Sequence, residues 1–312
     1  MEAVSWSGAL RQILSPHFLL RNSVYTSVLL GLVCPLVGVF LVLRRLVFMG
    51  VALPQISSTG VVIALSVPMW LGVLPPEHTE HAEHLLAFVG SMVFSLCAIL
   101  LLAFLERRGR GLPEGRLGTG YVLAAALSIL LFHLNRYAEV GWAGRLQGQI
   151  IAIDNADMLL TLAALALVLT TLALFHKEIL LISFDRILAV TLRKNVVFWD
   201  MLLYLLIGVT VSMAVLTVGP LTAFGFLLIP ALAVHLFAAN MRQFALFASL
   251  IGGGASFTGF YLAYVWDWPV GPTDVVLLGV IYGIAWVGYR LRLLFKKSGR
   301  HPASSSTRSC ST

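Results

Sequence analysis

Leu43-Arg-Arg-Leu-Val-Phe-Met-Gly-Val-Ala-Leu-Pro-Gln-Ile-Ser-Ser-Thr-Gly-Val61 joins two apolar runs, and Arg44 and Arg45 are the only charged residues between positions 22 and 76. The runs on either side, 24–43 and 53–74, approach the roughly 20 residues that cross a bilayer core. Composition extends this reading to the whole chain. Of 312 residues, 59% are hydrophobic and 11% charged, with mean hydropathy +0.93. A soluble domain carries about 25% charged residues, enough to cover its surface with solvated groups. This chain cannot do so and is read as an all-α, polytopic helical membrane protein.

Working outward, hydropathy and length place further spans at 85–105, 119–134, 159–176, 201–218, 221–237, 244–265 and 274–294, for a total of eight to ten. The transmembrane domain takes residues 1–295, and the Ser-, Thr- and Arg-rich residues 296–312 are expected to form a disordered cytoplasmic tail. The first twenty residues lack an apolar core ending in small residues, so no cleavable signal peptide is expected.

Basic residues set the orientation. Arg107, Arg108, Arg110 and Arg116 follow the third span, Lys177, Arg186, Arg193 and Lys194 follow the fifth, and Lys296, Lys297 and Arg300 follow the last. All three groups fall on the cytoplasmic side if the spans alternate. Nine spans put the N-terminus outside, against the preference of Arg11 and Arg21. The net charge of +7 is explained by these membrane-edge cations, and no nucleic-acid partner is expected. Every Asp and Glu is expected in a loop or at a span edge. Cys34 and Cys97 lie within spans and Cys310 in the tail, without metal or redox spacing.

Two polar segments could carry chemistry. Pro75-Pro-Glu-His-Thr-Glu-His-Ala-Glu-His84 interleaves three Glu with three His. His78, His81 and His84 fall on one drifting stripe of a helix, and imidazole with carboxylate suits zinc and other first-row divalent ions. The same segment also reads as a plain solvated connection. Ser183-Phe-Asp-Arg-Ile-Leu-Ala-Val-Thr-Leu192, within the polar link 177–200, is amphipathic and predicts a short helix at the membrane face.

In these residues the chain resembles the permease subunits of zinc, manganese and iron ABC importers, the ABC-3 family. The opening stretch keeps the frame of the family's signature, matching its arginine and Met-Gly pair. Leu146-Gln-Gly-Gln-Ile-Ile-Ala-Ile-Asp154, Ser183-Phe-Asp185, Val218-Gly-Pro to Ile229-Pro-Ala231 and Pro269-Val-Gly-Pro272 match its later elements in order. The resemblance implies a fold like that of vitamin-B12-importer permeases. It also implies a second copy of the chain, a separate ATPase, an extracytoplasmic metal-binding protein, and zinc or manganese as cargo rather than as a bound cofactor. It assigns Phe184, Asp185 and Ala189 to coupling with the ATPase, and Val51, Gln55 and Ser58 to the translocation path. Gly31, Gly38, Gly50 and Gly60 would give the close packing and mobility that alternating access needs.

Two path positions depart from the family. Val51 stands where it has Asp, and Gln55 where it has His; neither is a good ligand for a divalent ion. Pro54, between them, is expected to bend the start of the helix. The path could pass metal with weak neutral ligands, carry another cargo such as a chelated metal, or draw ligands from elsewhere, with His235 as the candidate. His235 also reads as a packed histidine, and His133 and His176 as interfacial ones. No phosphate loop Gly-x-x-x-x-Gly-Lys-Ser/Thr, His-Glu-x-x-His or Gly-x-Ser-x-Gly occurs. The chain is therefore expected to be a transport subunit whose ATP is hydrolysed elsewhere. A self-contained ion-coupled transporter or intramembrane enzyme would need buried carboxylates and, for the transporter, an inverted repeat.

Overall fold

The computed structural model describes residues 18, 20–70, 80–107, 113–135, 144, 146 and 153–298. Within them lie ten helices: α1 (Arg21–Leu43), α2 (Val47–Trp70), α3 (Glu80–Arg107), α4 (Pro113–Leu134), α5 (Asn155–Leu174), α6 (His176–Phe184), α7 (Arg186–Thr191), α8 (Val196–His235), α9 (Met241–Trp266) and α10 (Val270–Ser298). Eight are long and apolar enough to cross a membrane; α6 and α7 are not. α2 continues through Pro54. α10 runs to Ser298, so residues 296–298 are helical where a tail was expected. The rest of that tail, 299–312, lies outside the described residues.

The spans expected at 201–218 and 221–237 are joined in α8, whose helical geometry fails only at Gly219 (φ 81°, ψ 164°), immediately before Pro220. The contacts show that the chain turns back there. Asp200, near the start of α8, meets Arg44 just past the end of α1. α9 runs antiparallel to α1, because Ser256 bonds Ser27 and Ser249 donates to the carbonyl of Leu32. The start of α9 therefore lies at the Arg44 end, and only residues 236–240 separate it from the end of α8. A straight 40-residue helix would end about 60 Å away. Gly219 supplies the left-handed backbone the turn requires, and Pro220 starts the returning half without needing an amide donor. Among the described residues eight helices thus make nine passes, and the start of α1 lies at the end opposite the basic residues.

The core forms where α1, α2, α8 and α9 meet, around Leu30, Val37, Leu41, Leu53, Ile207 and Phe226. Close approach depends on missing side chains, since lipid offers helices no hydrophobic drive to associate. A Cβ on Gly31 would sit 2.7 Å from the carbonyl oxygen of Gly252, and one on Gly38 would overlap the carbonyl of Leu227. Hydroxyl bonds tie the other groupings. Ser57 of α2 bonds Ser91 of α3. Thr59 lies 2.8 Å from both the carbonyl of Ala124 and the hydroxyl of Ser128 on α4. Asn135, just past α4, donates to Ser66 of α2. Outward positions such as Val93, Leu123, Leu167 and Ile284 are exposed and apolar, as contact with lipid requires.

Candidate translocation path and coupling face

α2 begins two residues after Arg45, which closes the α1–α2 turn in the left-handed conformation (φ 58°). Along α2, Gly50, Ser57 and Gly60 face neighbours in the protomer: Leu228 of α8, Ser91 of α3 and Gly90 of α3. Val51 and Gln55, one turn apart, are only half-buried, and Phe48 before them is exposed. They form a stripe on the least covered side of the helix. Ser58 is buried. The stripe offers one neutral amide and no carboxylate, imidazole or thiolate. Among the described residues, no group of three or more His, Cys, Asp or Glu could hold a metal ion.

His235 is the last residue of α8, exposed, with its ring edge-on to Phe244 at 5.8 Å. Its position at the cytoplasmic end separates it from the interior of the span. His176 starts α6 with Nδ1 2.8 Å from the carbonyl of Ala173. At the outer end, α3 starts earlier than expected, so His81 and His84 belong to a helix, while His78 lies outside the described residues. His84 Nδ1 is 3.0 Å from Asp157 Oδ2 at the start of α5, a partner that sequence spacing could not disclose.

The amphipathic segment 183–192 is more elaborate than the single short helix expected. α6 ends at Phe184, Asp185 leaves the helix (φ −141°, ψ 94°), and its Oδ1 accepts the Leu188 amide at 2.9 Å to start α7. Such a cap satisfies one of the first unpaired amides of a helix. Arg193, in the left-handed conformation (φ 55°), closes α7, and the Lys194 amide returns to the carbonyl of Ala189 at 3.1 Å. Ala189 is buried with Ile182 and Val196. The opposite side carries Phe184, 66% exposed, and Ile187, 81% exposed, with Val190 and Leu192 beside them. This places an apolar knob on the face that holds the basic residues.

Arg44 connects the two regions. Its Nη1 donates to Asp200 Oδ1 at 2.7 Å and its Nε to Ser183 Oγ at 3.0 Å. The pair is nearly buried, with side chains 11% and 13% exposed. The sequence carries a faint signal of this pair, one Arg closing an apolar run and one Asp opening another, 156 residues apart.

Asp274 overturns the expectation that every carboxylate lies in a loop or at a span edge. α10 starts at Val270, which puts Asp274 inside the helix, fully buried and with neither oxygen hydrogen-bonded. Its Oδ1 fills the space left by the missing side chain of Gly259.

The comparisons with known proteins fit this geometry. Residues 17–288 match the model of the ABC 3 transport family, and the chain belongs to that family as a multi-pass permease of the plasma membrane. It is 27% identical over 270 residues to the manganese import system permease protein ScaB of Streptococcus gordonii, covering 86% of this chain and 91% of that protein. It is also 27% identical over 285 residues to the manganese transport system membrane protein MntC of Listeria monocytogenes, covering 91% and 96%. Among solved structures it resembles PsaBC of Streptococcus pneumoniae, determined with a Fab, at 25% identity and a TM-score of 0.76 over 90% of this chain and 95% of the other. An ABC transporter in an inward-facing conformation matches in fold, with a TM-score of 0.68 at 17% identity, over 92% and 94% of the two chains.

Proposed function

We propose that this chain is the membrane subunit of an ATP-driven importer of manganese, or of another first-row divalent ion such as zinc. Two copies flank a central path, with the half-buried stripe of Val51 and Gln55 facing it. An ATPase docks on α7 from the cytoplasm, contacting Phe184 and the helix capped by Asp185, with Ala189 packing α7 onto the permease. An external binding protein delivers cargo at the opposite face, beside His84 and Asp157, where an imidazole–carboxylate pair suits a transient metal contact. Closure of the ATPases then drives alternating access. The observation that carries the reading is the capped, apolar and exposed α7 on the basic face, joined through Arg44 to the helix that bears the path residues. The manganese cargo rests on the names of ScaB and MntC.

The absence of a carboxylate or imidazole at 51 and 55 favours one second reading, a cargo that arrives already chelated and needs no ligands from α2. Vesicles holding the chain with its ATPase and binding protein separate the two. ATP-dependent uptake of radioactive manganese, competed by zinc and reduced by Asp185→Ala, supports the free ion. ATP hydrolysis stimulated by the binding protein without movement of either ion supports the chelate.

A further inference from the structure

We infer that Arg44 is a positioning residue that carries movement of the coupling segment to the path helix, α2. The inference rests on the ATP-driven reading above. The guanidinium reaches both flanks of α7: Ser183, the residue before Phe184, and Asp200, in the second turn of α8. Ser183 is itself held, donating to the carbonyl of Ile179 at 2.7 Å. A shift of α7 thus moves both acceptors, and the fork-shaped guanidinium transmits it as a planar, two-point contact rather than through one flexible charge.

On the other side of Arg44 the chain is short and stiff. Arg45 is in the left-handed conformation, the Leu46 amide returns to the carbonyl of Leu41 at 2.9 Å, and α2 begins at Val47. Val51 lies one turn into that helix and Gln55 two. α2 is bolted to α3 and α4 by Ser57, Thr59 and Ser66, whereas α1 is bolted to α9 by Ser27 and Leu32. The two helices that share the Arg44 turn are tied by these bonds to different neighbours, while both pack on α8 at Leu227 and Leu228, and force applied at the turn acts on α2 where it begins. Arg44 Nη2 is buried without a partner.

The test uses the full chain with its cognate ATPase in nanodiscs, with Cys97 and Cys310 replaced by Ser. Spin labels are placed by Tyr25→Cys on α1 and Val67→Cys on α2, both exposed near the outer ends. The expected result is a distance change on adding ATP that Arg44→Gln abolishes while the ATPase stays bound and hydrolyses ATP. Arg44→Lys, which keeps the charge but not the fork, restores part of the change. Transport per ATP falls in parallel for Arg44→Gln, by roughly fivefold or more. The inference is overturned if ATP gives no distance change in the unaltered chain. It is equally overturned if Arg44→Gln and Arg44→Lys both respond like it, or if both release the ATPase. The labels follow the helices and not the cargo. An intact distance response without manganese uptake therefore refutes the cargo assignment and leaves the role of Arg44 standing.

Discussion

On the least covered side of α2, Val51 and Gln55 present two methyl groups and one neutral amide. If the free ion travels along this stripe, adding ligands alters its passage. Val51→Asp with Gln55→His is expected to lower the KM for manganese uptake by roughly tenfold or more, the scale on which changes around a metal move its affinity; an unchanged KM in flux measurements points to a chelated cargo. Asp274 poses the opposite problem, a carboxylate buried with no hydrogen-bond partner. Leaving such a group unsatisfied costs about 1–3 kcal/mol. Asp274→Asn, nearly isosteric and uncharged, is expected to raise the thermal midpoint of the detergent-solubilised protein, and a lower midpoint would reveal a role for the charge.

At the scale of the element, α7 is six residues long and too short to persist on propensity alone. Its stability comes from the Asp185 cap, the Arg193 turn and the burial of Ala189. Removing a cap costs about 0.5–2 kcal/mol, whereas Asn caps about as well as Asp. Asp185→Ala should therefore weaken ATPase binding in a co-purification assay, and Asp185→Asn should preserve it. Equal loss in both would assign the effect to charge. The α1–α8 contact supplies a second contrast. Gly38→Ala forces the helices apart at the carbonyl of Leu227 and should cost about 1–3 kcal/mol, as overpacking does. Gly279→Ala meets nothing within 4 Å and should leave the unfolding midpoint unmoved.

For the whole molecule, the reversal at Gly219 sets the number of passes and hence which surface faces which compartment. Nine passes place α7 with the basic residues on one side and Trp268, between α9 and α10, on the other. In sealed vesicles of known orientation, Ile187→Cys should react with an impermeant maleimide only from the cytoplasmic face. Trp268→Cys should react only from the outer one. Both positions are exposed, so reaction from the same side would contradict the turn at Gly219.

Much of this architecture is legible in residue order. Membrane solvation demands long apolar helices with basic residues kept together, so the spans and the amphipathic segment 183–192 follow from hydropathy and charge. The resemblance of the Arg44–Gly60 stretch also pointed to the family that the comparisons establish. Local rules could not foresee that Asp185 separates two helices within the polar link, or that His84 meets Asp157. The buried state of Asp274 depends on where α10 begins and on the missing side chain at Gly259, two facts held by different helices. The join of Arg44 to Ser183 and Asp200 spans more than 130 residues of chain. Solvation acts on each segment by itself and is written along the sequence, whereas these contacts exist only once separate helices share one packed interior.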